Sequence, residues 1–126
     1  MAPMTARYSF PATKRLRKGA EFGRVFAEPL RSADRYFTVL ARANAVGNAR
    51  LGLTISRRAA KRAVDRNRLK RVARETFRLE PELPPCDFVV LAKAPAATAS
   101  GAELRRSLAH HFKHLAAKAR ASNAHG

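Results

Sequence analysis

Between Arg57 and Arg78 the chain places ten basic side chains: Arg57, Arg58, Lys61, Arg62, Arg66, Arg68, Lys70, Arg71, Arg74 and Arg78. Only Asp65 and Glu75 oppose them, so this sixth of the chain carries +8. The same stretch also holds a packing face. Leu69, Val72, Ala73, Thr76 and Phe77 recur at helical spacing, which predicts one long helix over roughly 61–78. Arg62, Arg66, Lys70 and Arg74 stand four apart, a slowly drifting basic ridge beside the apolar side. Such a helix needs a protein core for one face and a polyanion for the other.

The rest of the charge follows the same pattern. Lys and Arg number 26 against 9 Asp and Glu, a net +17. Residues 7–18 add Arg7, Lys14, Arg15, Arg17 and Lys18 with no acid, while Leu79–Asp87 carries Glu80, Glu82 and Asp87 with no base. A solubilising surface would intersperse the signs. Arg outnumbers Lys 19 to 7. A planar fork suits phosphates and stacks on bases, which favours nucleic acid over a lipid surface. No run of 18 apolar residues is present, so no membrane span is expected, and Met1–Phe10 lacks the apolar core of a secretory signal. The single cysteine, Cys86, allows no internal disulfide and points to a reducing, cytoplasmic setting. The length of 126 residues fits one domain.

Along the chain, residues 1–18 read as an extended basic arm and 121–126 as a flexible tail. Gly19–Glu28 reads as a short helix with Phe22, Val25 and Phe26 on one stripe, stopped by Pro29. Tyr36–Ala43 and Arg50–Ser56 read as strands, paired as an antiparallel hairpin across the Asn44–Asn48 turn. Gly52, inside the second, marks a bulge or a close approach. After the long helix and the Pro81, Pro84 and Pro85 break, Asp87–Ala94 is a strand apolar on both faces, as in mid-sheet. Ser100–Arg120 is a final helix, with Ser100 and Glu103 at capping-box spacing. The order is helix, strand, strand, helix, strand, helix: a two-layer α+β domain.

Candidate chemistry is sparse. The nine acids form no pair or trio suited to two-metal hydrolysis, and there is no P-loop or GxSxG. His110, His111 and His114 lack an HExxH glutamate and read as a surface helix rather than a metal site; Cys86 has no CxxC partner. The focused signal is Arg66-Asn67-Arg68-Leu69-Lys70-Arg71, where an Asn set among cations can bond a phosphate, a 2′-hydroxyl or a base edge. Phe22 and Phe26 are either core or the wall of a groove that stacks unpaired nucleotides.

The stretch RLGLTISRRAAKRAVDRNRLKRVARETF, Arg50–Phe77, resembles the signature of the protein subunit of bacterial ribonuclease P. Phe10 and Lys14-Arg15-Leu16 resemble its basic leading segment, Glu21-Phe22 and Val25-Phe26 its first helix, Arg35-Tyr36-Phe37 the opening of its strand, and Asp87–Lys93 its last strand. The resemblance implies a central mixed sheet of about four strands with three helices and a left-handed βαβ crossover, against the usual hand. It implies a ribonucleoprotein endonuclease that cuts the 5′ leader from precursor tRNA, with its catalytic groups and most of its Mg²⁺ in the RNA subunit. The implied partners are that RNA and precursor tRNA, with no membrane and no small-molecule substrate. Arg57, Arg58, Arg62, Arg66, Asn67, Arg68, Lys70, Arg71 and Arg74 would bind the RNA subunit. Phe10, Lys14, Arg15, Phe22, Phe26, Tyr36, Thr38 and Leu40 would line the leader cleft, and no residue is assigned to a protein-held metal. Composition equally suits a ribosomal or ribosome-assembly protein. A major-groove DNA binder and a stand-alone protein nuclease are weaker alternatives.

Overall fold

The seven-residue strand Cys86–Ala92 is apolar on both sides of an extended chain except at Asp87, and it occupies the place that demands this, between two neighbouring strands. The computed structural model describes residues 19–124. In chain order they form α1 (Gly19–Ala27), β1 (Leu30–Ala33), β2 (Phe37–Ala43), β3 (Arg50–Thr54), α2 (Ala63–Leu79), β4 (Cys86–Ala92), a short 3₁₀ segment over Ala94–Thr98, and α3 (Gly101–Ala124). The sheet order is β1-β2-β4-β3. β2 runs antiparallel to both β1 and β4, and β3 runs parallel to β4 across the α2 crossover.

The expected hairpin between 36–43 and 50–56 does not form, because β4 lies between its two strands. Exposing one face or one edge of FVVLA to water would cost more than the longer connection, so β4 takes the centre and β3 reaches it through α2. Gly52 sits in unbroken register with Val89, so it marks no bulge. β1 has no counterpart among the predicted elements. It is four residues long, and only Ser32 is buried.

The two faces of the sheet are unequal. On one, Phe37, Val39, Ala41, Leu51, Phe88 and Val90 meet the stripes of α2 and α3 in the main core. Phe77 of α2, Phe88 of β4 and Phe112 of α3 meet edge to face, with ring centres 5.5–5.8 Å apart, and lock the three elements together. The five residues that helical spacing selects in α2 are its five buried residues. α3 begins with the expected box: Ser100 Oγ accepts from the Glu103 amide at 3.1 Å, and Glu103 Oε1 accepts from the Ser100 amide at 3.2 Å. It then runs through Ala124, so residues 121–124 are helical rather than tail. On the other face α1 alone covers Leu40 and Val89, through Val25 and Phe22.

Polar groups fasten both ends of the sheet. Arg50 and Asp87, register partners on β3 and β4, form a buried fork with bonds of 2.8 and 2.9 Å. Asn44 Nδ2 donates to the same carboxylate at 2.7 Å and to Asn48 O at 3.1 Å, tying down a turn in which Gly47 supplies φ +97°. At the opposite end the β1–β2 connection is organised by Asp34, which accepts from the Tyr36 and Phe37 amides. Ser107 Oγ donates to Asp34 Oδ2 at 2.5 Å. His111, expected on a surface, is 1% exposed: its Nδ1 lies 2.6 Å from Ser32 Oγ and its Nε2 3.2 Å from Asp34 Oδ2. The spacing of His111 puts it beside Leu108 and Leu115 on the apolar stripe, and the short polar strand β1 supplies the partner that makes its burial tolerable.

Candidate nucleic-acid interface

α2 presents its cations in two distinct ways. Opposite the buried stripe, Asn67, Arg71, Arg74 and Arg78 are exposed and Lys70 half-exposed, on one outward strip about 17 Å long at 1.5 Å per residue. Among the described residues, Lys70 and Arg71 make no ion pair, and neither do Arg57 and Arg58 in the turns before the helix. These charges have no internal use.

Arg66 and Arg68 differ. They stand on the two flanks of the strip, and both reach backbone. Arg66 donates to the carbonyls of Ala60 and Lys61 at 2.9 and 2.8 Å, closing the loop ahead of the helix. Arg68 donates to Ala99 O at 2.8 Å, holding the junction between the 3₁₀ segment and α3. Each keeps spare N–H groups, so a phosphate can share them. Arg62 is exposed but grips Asp65 with bonds of 2.9 and 3.2 Å. The hydrogen bond from Arg62 holds the Asp65 carboxyl below its usual range, and the carboxylate sits in the first turn of α2, where the helix dipole favours it.

The second candidate surface lies on the α1 face. Ala33, Thr38, Leu91 and Thr54 stand side by side across all four strands, and none is fully buried. The adjacent row, Arg31, Leu40, Val89 and Gly52, runs under α1. Arg42 Nη1 donates to Arg24 O at 2.7 Å, satisfying a carbonyl of the last turn of α1 and fixing that helix over the sheet. Phe22 is half-buried against the Leu40 cluster, whereas Phe26 is 46% exposed. One helix of nine residues thus leaves a floor of small and apolar side chains beside an exposed ring.

A family model described as Ribonuclease P matches residues 10–116. The chain belongs to the ribonuclease P protein family. The ribonuclease P protein component of Methylococcus capsulatus is 46% identical over 106 residues, 83% of each chain. That of Photorhabdus laumondii is 42% identical over 117 residues, 92% of this chain and 98% of its own. Among solved structures, the ribonuclease P protein of Staphylococcus aureus matches with a TM-score of 0.74 at 31% identity, over 79% of this chain and 93% of its own. That of Thermotoga maritima gives 0.66 at 31% identity, over 75% and 90%.

Set against the residues that the ribonuclease P resemblance singles out, the structure gathers Asn67, Lys70, Arg71 and Arg74 on one strip, with Arg66 and Arg68 at its borders. Phe22, Phe26, Thr38 and Leu40 share the α1 face. Leu40 is buried, so it is floor rather than a stacking surface. Tyr36 stands apart: its ring packs on the main core, its hydroxyl donates to Glu103 Oε2 at 2.8 Å, and Arg35 lies over it at 5.2 Å. Phe10, Lys14 and Arg15 lie outside the described residues. Leu91 and Thr54 were not selected from the sequence. Their alternation along the strands was readable, but their alignment with Thr38 depends on β4 being central.

Proposed function

We propose that this chain, as the protein subunit of the ribonucleoprotein endonuclease ribonuclease P, binds the RNA subunit along α2 and the 5′ leader of precursor tRNA on the α1 face. The observation that carries this is the α2 strip, a row of outward cations with no internal partners at Lys70 and Arg71. Two RNAs brought together repel each other, and a folded cation between them lowers that repulsion within about one Debye length, roughly 8 Å at physiological salt. The exposed Phe26 ring and the Thr38–Leu91–Thr54 row suit an unpaired strand, which can stack and lie flat.

The bond-breaking chemistry belongs to the RNA subunit and its Mg²⁺. Among the described residues no three His, Cys, Asp or Glu side chains gather to hold a divalent ion. The protein positions and neutralises. Its contribution is therefore greatest at low Mg²⁺, where least else screens the RNA. Leader removal from precursor tRNA by the cognate RNA, measured at low Mg²⁺, should be much faster with the protein than without it. Equal rates would overturn the proposal.

A further inference from the structure

α3 carries three of the four histidines of the chain within one and a half turns, and the fold separates them by role. His111 turns inward to Ser32 and Asp34. His110 and His114 are left exposed on successive turns of the outer side of α3. Their rings are nearly parallel, 9° apart in plane, with centres separated by 5.8 Å. Nothing in the RNA-binding reading uses them: they stand on α3, away from both the α2 strip and the α1 face.

We infer that His110 and His114 form a bidentate site for a borderline transition-metal ion such as Zn²⁺ or Ni²⁺. Side chains at i and i+4 on a helix are neighbours one above the other, the spacing by which two helical histidines share a metal. The separation fits. A ring nitrogen binds Zn²⁺ at about 2.0–2.1 Å and the ring centre lies roughly 1.1 Å behind it, so two such rings have centres about 5.2 Å apart at a tetrahedral angle and about 6.4 Å apart when opposed. The observed 5.8 Å falls between these limits, but the rings are stacked nearly parallel and do not aim their in-plane nitrogens at one point, so an ion binds only as the rings turn about Cβ–Cγ, a rotation that leaves their centres close to where they are. The terminal imidazole torsion is soft, so exposed rings can swing one nitrogen each toward a shared ion. Imidazole donors select Zn²⁺, Ni²⁺ and Cu²⁺ over Mg²⁺, which keeps the site chemically distinct from the ions of the RNA. Two protein donors leave further coordination positions open to water or to an outside ligand.

The surroundings set limits on affinity without blocking access. Lys113, next to His114, has its charge met by Glu80 at 3.2 Å. Arg106, one turn before His110, is exposed and extends into solvent. His111 is too buried to serve as a third donor from the same side, and its Nδ1 is committed to Ser32.

The test is direct titration of the full chain, free of any affinity tag and of RNA, with Zn²⁺ and separately with Ni²⁺ near neutral pH, followed by calorimetry. One ion per chain should bind, and His114→Ala or His110→Ala should weaken it by about tenfold or more while the helical circular dichroism stays unchanged. Mg²⁺ should not compete. Equal affinity in wild type and both variants would overturn the site, as would no measurable binding by the wild type. Retention of the wild type, but not of the His110→Ala/His114→Ala variant, on an immobilised Ni²⁺ resin would support it independently.

Discussion

Lys70→Ala/Arg71→Ala removes two outward cations from the α2 strip without touching the bonds that hold the helix. Neither side chain makes an ion pair among the described residues, and the core stripe is on the other side. If each engages one phosphate of the RNA subunit, each releases about 0.7–0.9 of a counterion on binding. Removing both should flatten the slope of log affinity against log salt by about 1.4–1.8, on a total of about 4 to 9 for six to ten contacts. Carried from a 1 M reference to 0.15 M salt, a slope of 0.9 per contact amounts to about fivefold in affinity, so the pair should cost about 30-fold. The assay is titration of labelled RNA subunit at several monovalent salt concentrations and fixed Mg²⁺, with thermal unfolding of the free protein as a control. Unchanged melting with a flatter slope is the expected result. Weaker binding at an unchanged slope, or no loss of affinity, would refute the assignment of the strip. Arg66→Ala is the instructive contrast. It removes two bonds to the carbonyls of Ala60 and Lys61, so it should lower the melting temperature as well as RNA affinity.

Four further outcomes test the rest of the molecule. Asp87→Ala removes both fork bonds from the buried Arg50 and the bond from Asn44, and should cost about 3–5 kcal/mol in urea unfolding, the range for breaking one side of a buried pair; a loss under about 1 kcal/mol would show the fork to be dispensable. Stability should fall as pH drops from about 7 toward 5. Burial pushes the His111 imidazole below its usual range against the opposing pull of Asp34, so the fold prefers it neutral, and stability present above the unfolded value of about 6.5 is lost below it. Melting curves of His111→Gln should be flatter across that window, and parallel curves would refute the linkage. A second acid limb follows from Asp34. Burial opposes its ionisation, but Ser107, the Phe37 and Tyr36 amides and His111 outweigh burial and hold it at about 2, so its contribution is lost between about pH 4 and 2. Phe26→Ala should weaken binding of precursor tRNA by the assembled enzyme about 5- to 150-fold, the equivalent of one lost stacking contact, and leave binding of leaderless tRNA unchanged. Equal losses for both would remove Phe26 from the leader site.

The helices were legible in the residues because their periodicity is carried by many positions at once. In α2, four apolar residues and Thr76 at helical spacing and a ridge of cations agreed, and tertiary packing had no reason to override them. The capping box of α3 was readable at two positions. Strand partners were not readable in this way, because alternation says which residues share a face but not which strand lies beside which. The double-sided apolar run of Cys86–Ala92 did contain the answer: a strand that needs cover on both faces and both edges displaces the hairpin. β1 carried too few residues to show any period. His111 misled because a histidine on an apolar stripe is acceptable only with a buried partner, and Ser32 lies 79 residues away in sequence. Likewise the division of labour among the arginines, with Arg66 and Arg68 bonded to backbone and Lys70 and Arg71 free of ion pairs, depends on carbonyls that only the fold brings near.

The sheet separates the two candidate surfaces. α1 lies against one face, and α2 and α3 against the other, so the α2 strip points outward from one layer while the Phe26 and Thr38 surface belongs to the opposite one. A protein that only neutralised phosphates could place all its charge on one side. On the proposed function, two surfaces held apart by a close-packed core would do something different: they would fix the distance and direction between two bound strands. The rigidity comes from the three edge-to-face rings at the centre and the polar clamps at the two ends of the sheet, the Arg50–Asp87 fork and the Asp34 cluster. The charge accounts for affinity toward RNA in general. On the proposed function, the two-sided geometry would present one RNA to another, and it makes β4 the element on which both surfaces depend, because its Leu91 belongs to the Thr38 row while its Phe88 packs against Phe77 of α2.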